Sequence, residues 1–132
     1  MTHLHLNYTA IFVAALIQWV LGAFWYSLLF GNHWKALVGQ KPAAKPSIAS
    51  MVLSFVGGLV VAFALAHVVQ WSYASNFPWG VFIGFICWLG FVVPLLFMQT
   101  LHEKRSYMLL AINVFYWLFA IIISAGLLAQ WQ

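Results

Sequence analysis

Charge is what this sequence has least of. Only 5% of its 132 residues are charged: five Lys or Arg and a single acid, Glu103. Soluble domains carry about a quarter, and six charged side chains cannot cover the surface of a water-soluble fold of this length. A soluble enzyme, a disordered tail and a nucleic-acid module are thereby excluded. One carboxylate leaves no pair for acid–base work within a chain. One cysteine, Cys87, leaves no internal disulfide, and cysteine usage is silent about compartment. The chain also lacks a phosphate loop, a nucleophile–base motif and a cluster of metal-ligating cysteines, so no cofactor is expected from motifs.

What the chain has is apolar length. Hydrophobic residues make up 66%, against about half in a soluble domain. Crossing the roughly 30 Å hydrocarbon layer takes about 20 mostly apolar helical residues. Four segments qualify, at about 7–30, 48–73, 78–101 and 107–130. They run continuously apolar instead of alternating, and they are too long for barrel strands. Pro78 suits a helix start, where its missing N–H leaves nothing unsatisfied. The first run has neither a basic leader nor a cleavage site, so it is expected to be retained. The expectation is an all-α integral membrane protein, one four-span domain over residues 1–132.

The few cations set the expected orientation. Lys35, Lys41 and Lys45 fall between the first two runs, Lys104 and Arg105 between the last two. By the positive-inside rule both connections are cytoplasmic and both termini lie outside. That makes two hairpins of the same orientation. Trp71, Tyr73, Trp79 and Trp131 would sit at the outer interface, Trp34 and Tyr107 at the inner one. The one long loop, 31–47, reads as a short interfacial helix over residues 32–38 followed by an extended tether, Lys41-Pro42-Ala43-Ala44-Lys45-Pro46. Trp19-Val20-Leu21-Gly22 loosely echoes Trp88-Leu89-Gly90, a faint sign of a parallel repeat.

Several words of the sequence are distinctive. Gly22-Ala23-Phe24-Trp25-Tyr26-Ser27, with Phe30-Gly31 and Trp34, resembles the opening of the bacterial membrane-protein family known as domain of unknown function 1761. Gly84-Phe85-Ile86-Cys87-Trp88-Leu89-Gly90-Phe91 is similar to that family's third span. Glu103-Lys104-Arg105, with Asn113 and Tyr116, is similar to its last hairpin. Leu28 departs from the pattern, standing where many relatives carry proline. The resemblance implies a small four-span protein of the bacterial cytoplasmic membrane and no particular activity.

Candidate chemistry is confined to neutral groups, because the spans hold no Asp, Glu, Lys or Arg. Ionisable residues in a bilayer are costly and mark function by default. Their absence removes the central residue of carboxylate-coupled transport. His67, with Gln70 on the same face three residues on, is a candidate for haem or quinone binding. Together with His3 and His5 it is a candidate zinc or copper site. Equally, His67 donates to a neighbouring helix while the terminal histidines are solvated. Gln18, Asn113 and Tyr116 form a candidate polar layer at mid-depth, with the Trp88 or Trp117 indole. It is either a pathway or interhelical glue worth about 0.6–2 kcal/mol per contact.

Small residues mark helix seams: Gly57 and Gly58, Gly80 and Gly84, Gly90, and Ser124 four residues after Ala120. Three functions stay open. One is a non-enzymatic protein acting by helix association, with itself or as a subunit of a larger membrane complex. The second is an oligomeric channel or carrier for a neutral or weakly polar solute. The third is a haem, quinone or metal protein centred on His67. Lipid is the expected surrounding in each.

Overall fold

The computed structural model describes residues 6–29, 48–104 and 106–131, with the side chains of 27–29 excepted. The described residues are helical, with no strand among them. We number four helices: α1 (Tyr8–Ala23, continuing as a π-helical turn Phe24–Leu29), α2 (Ile48–Trp71), α3 (Phe77–Glu103) and α4 (Tyr107–Gln130). All four are long and apolar enough to cross a membrane. The expected interfacial helix and the Lys41–Pro46 tether lie outside the described residues, as do His3 and His5.

Local chemistry sets the helix ends. Asn7, Asn76 and Ser106 occupy N-caps, their side chains accepting from the backbone N–H of Ala10, Trp79 and Met108. Each cap satisfies one of the donors that a helix start leaves unpaired. Pro78 stands in the first turn of α3, where no N–H is needed. At the end of α2 the Ala74 N–H reaches Val69 O and the Tyr73 N–H reaches Gln70 O. This is a Schellman closure with Tyr73 in the left-handed region at φ 60°. Lys104 ends α3 in the same region at φ 53°.

α3 is one helix with a fault in it. Phe77–Cys87 and Val93–Glu103 are α-helical, and Trp88–Val92 between them is a π-helical segment closed by Val93 N–H to Trp88 O. Pro94 supplies the cause: it has no N–H to continue the ladder, and its ring collides with the carbonyl four residues earlier. One wider turn relieves both problems.

α4 is the hub. It packs against each of the other three helices, most extensively against the first half of α3, while α1 also packs along α2. In the most apolar stretch of α4 44% is buried, against 6% in α3. The core is rich in alanine: Ala10, Ala14, Ala15, Ala62, Ala66, Ala120, Ala125 and Ala129 are all buried, among larger side chains such as Ile11, Leu65 and Trp88. Large apolar side chains such as Phe82, Phe91, Leu95, Val60 and Phe115 face outward. Small inside and large apolar outside inverts a soluble protein and matches helices surrounded by hydrocarbon, where close backbone approach supplies the packing. The described chain fits a multi-pass membrane protein.

Gly80 and Gly84 carry the tightest approach. A Cβ at Gly80 would stand 2.4 Å from Ala125 O, and one at Gly84 2.9 Å from the Ala125 Cβ. Gly58 meets α1 at ordinary contact distance, near Ala15 and Gln18. Gly57 and Gly90, expected in the seams, have nothing within 4 Å of a Cβ among the described residues. Gly57 faces outward one position round the helix from Gly58, and Gly90 sits in the π segment where α3 leaves its neighbour.

Two polar ties close the end of the bundle that holds Asn7, the α2–α3 turn and Trp131. Asn7 Nδ2 donates to Trp131 O at 3.2 Å, and the Phe77 N–H donates to Gln130 Oε1 at 3.1 Å. The starts of α1 and α3 are thereby fastened to the end of α4. Trp71, Tyr73, Trp79 and Trp131 are exposed at this end.

Candidate functional site

The polar side chains of the interior are gathered along α4. In its C-terminal third, Ser124 accepts from Gln18 Nε2 at 3.0 Å. Two turns back, the Tyr116 hydroxyl donates to the backbone carbonyl of Gln18 at 2.9 Å. A further turn on, Asn113 Oδ1 accepts from the Tyr26 hydroxyl at 2.6 Å. Gln18 and Ser124 are both buried, Gln18 at 2% exposure, and Tyr116 is buried too. Gly22 is what admits the tyrosine, since a Cβ there would lie 3.2 Å from the Tyr116 hydroxyl.

Two indoles complete the row. Trp25 Nε1 donates to Ile112 O at 3.0 Å, and Trp88 Nε1 donates to Val114 O at 2.8 Å. Each tryptophan stands in a π-helical segment, one in α1 and one in α3. Each reaches a carbonyl of α4 that the helix already uses, taking its second lone pair. Widened turns thus aim two N–H groups from two helices at neighbouring carbonyls of a third.

Gln18, Asn113 and Tyr116 were expected to share one polar layer, and the structure links them through hydrogen bonds and one ring contact. With Ser124, eleven residues or roughly 16 Å at helical rise beyond Asn113, the row extends into a seam along α4. Gln18 and Tyr116 are brought together directly, and Asn113 reaches them through Tyr26, whose ring lies 5.2 Å from that of Tyr116. Of the two indoles considered, it is Trp88 that joins the row by hydrogen bond. Trp117 stacks edge-on against Tyr116 at 5.1 Å. Ser124, read from sequence as a small packing residue, is the hydrogen-bond partner of Gln18.

Sequence reasoning did not single out Tyr26 and Trp25 as polar partners of α4. Their signal lay in two hydrogen-bonding aromatics standing side by side at the end of an apolar run.

One fully buried polar atom of the seam is left over among the described residues. Gln18 Oε1 is buried with no hydrogen-bond partner among the described residues. It lies against the bare backbone of Gly58, 3.5 Å from where a Cβ would stand. A buried acceptor without a donor costs about 1–3 kcal/mol.

His67 belongs to a different surface. Its Nδ1 lies 2.9 Å from Phe63 O of its own helix, and its ring packs between Phe63 at 4.5 Å and Trp71 at 5.6 Å. Phe63 and Trp71 are exposed, so this stripe faces out of the bundle. The expected donation to a neighbouring helix is replaced by one to the preceding turn, because a donor on an apolar outward face has only its own backbone within reach. Gln70 is half-buried one turn on. Among the described residues no three His, Cys, Asp or Glu side chains converge as metal ligands.

A shallow cleft opens beside Asn113. It is lined by Leu96, Gln99 and Thr100 of α3 and by Leu109, Leu110 and Asn113 of α4, and encloses ≈ 20 Å³. That is space for about one water molecule.

These features define a class: a four-helix bundle of membrane-crossing length, closed by small residues, with an uncharged hydrogen-bonded seam on its last helix. Residues 9–129 match the family described as Protein of unknown function (DUF1761), and the chain belongs to it. Neither a curated protein nor a solved structure gives a significant match.

Proposed function

We propose that this is a non-enzymatic protein of the bacterial cytoplasmic membrane that works by helix–helix association. It assembles with copies of itself or serves as an accessory subunit of a larger membrane complex. One observation carries the reading: the spans hold no charged side chain, the interior polar groups bond chiefly to one another and to backbone carbonyls, and the outward faces of α2 and α3 are apolar. Such a chain offers its surroundings surface rather than chemistry. The cations between the first and second and between the third and fourth spans support cytoplasmic connections, with both termini outside.

Extraction in mild detergent followed by native mass spectrometry tests this. The expected result is a discrete oligomer or a complex with foreign subunits. A chain that runs alone across detergents and concentrations overturns it.

A second reading rests on the unpartnered Gln18 Oε1. An oligomeric channel or carrier for a neutral or weakly polar solute would use that acceptor as part of its path. Gln18→Leu then abolishes flux in proteoliposomes while assembly stays intact; unchanged flux removes this reading.

A further inference from the structure

The first half of α3 lies close against α4, held by Gly80 and Gly84. Past the π segment and Pro94 the two helices part, and contact between Val93–Glu103 and α4 is sparse. The cleft lined by Leu96, Gln99, Thr100, Leu109, Leu110 and Asn113 sits where they part. Three of its walls are leucine and three are neutral hydrogen-bonding side chains. None is charged.

Asn113 gives the cleft a direction. The short bond from the Tyr26 hydroxyl occupies its Oδ1 and fixes which way the amide is turned. What Asn113 has left to offer is Nδ2, with two N–H donors. Thr100 adds a hydroxyl at 7% exposure, and Gln99 stands exposed at the rim. A cleft with this lining favours an acceptor over a donor and a neutral group over an ion. Its enclosed volume admits one small group and leaves the remainder of a ligand to lie along the apolar helix faces outside.

We propose that the cleft between the second half of α3 and the first half of α4 binds the carbonyl head of an uncharged amphipathic molecule, with Asn113 donating to the carbonyl oxygen. Tyr26 is a positioning residue, acting through Asn113. Two sources carry this chemistry in a membrane: the ring carbonyl of a quinone and the ester carbonyl of an acylglycerol.

The test uses the full chain, delipidated in detergent, titrated separately with a decyl-substituted 1,4-benzoquinone and with dioctanoylglycerol. Bound ligand is counted by native mass spectrometry. One probe is expected to bind saturably, one per chain, and which one binds identifies the source. Asn113→Leu keeps the volume and removes the donors, and should weaken binding about tenfold or more, the scale of losing a buried hydrogen bond.

Leu96→Trp fills the cleft from its apolar wall without touching a polar group, and should abolish binding even if Asn113→Leu folds poorly. Tyr26→Phe, which lets the amide turn, should weaken binding less than Asn113→Leu, while unfolding temperature reports any loss of structure separately. Failure of both probes to saturate overturns the proposal. So does saturable binding that survives Asn113→Leu and Leu96→Trp alike.

Discussion

At the scale of single residues, two kinds of hydrogen bond hold the seam, and they differ in what is left when one is broken. Ser124→Ala strands the Gln18 amide, whose Oε1 already lacks a partner, in a buried site. The expected cost is about 1–3 kcal/mol, read as a fall in unfolding temperature in detergent. Gln18→Met removes donor and orphaned acceptor together at similar volume. It should cost less than Ser124→Ala, and the double variant should be no worse than Ser124→Ala alone. Trp25→Phe and Trp88→Phe each remove an N–H from a carbonyl that keeps its helical partner. The lost hydrogen bond should cost about 1 kcal/mol in each, with a cavity cost added at Trp88, which is buried in the core. Sequence revealed which side chains must turn inward, because Gln18, Asn113 and Tyr116 have no cheap alternative in hydrocarbon. It did not reveal their partners, which depend on rotations and offsets of helices distant along the chain.

At the scale of helices, the glycines separate positions that look alike on paper. Gly80→Ala forces a methyl group into the backbone of α4 and should destabilise the bundle by about 1–3 kcal/mol. Gly57→Ala has open space and a regular helix around it, and should be neutral or gain up to about 1 kcal/mol. Thermal unfolding of the two variants side by side measures the difference. A clear loss at Gly57 would show that something beyond the described residues lies against that face. Helix existence was legible to within a few residues: about 48–73 became Ile48–Trp71, and about 78–101 became Phe77–Glu103. Span length is fixed by a simple physical requirement, and Asn76 and Pro78 announce the start of α3. The π segments were not read. Pro94 carried the signal for the second, standing well inside an apolar run with no N–H to give. For the first, nothing local distinguishes Phe24–Leu29 from ordinary helix; contact with α4 is what it serves.

At the scale of the whole molecule, the proposed orientation has a direct measurement. In a Cys87→Ser background, single cysteines at Ser75 and at Lys104 should react with an impermeant thiol reagent from opposite sides of intact cells. Ser75 should label from outside, and Lys104 only after permeabilisation. Labelling of both from the same side would contradict the bundle, since α3 separates them. The general inside-out character was legible in composition, but the choice of α4 as hub was not, because every span is comparably apolar. That choice bears on how the protein is made. Donors or acceptors from Asn7, Gln18, Trp25, Tyr26, Phe77 and Trp88 all end on α4 or on its C-cap Trp131, and α4 is the last of these four helices to leave the ribosome. Until it arrives, the nascent chain holds those groups without their final mates, so the four helices close together in one step, and an insertase or shielding chaperone has most to do just before that step.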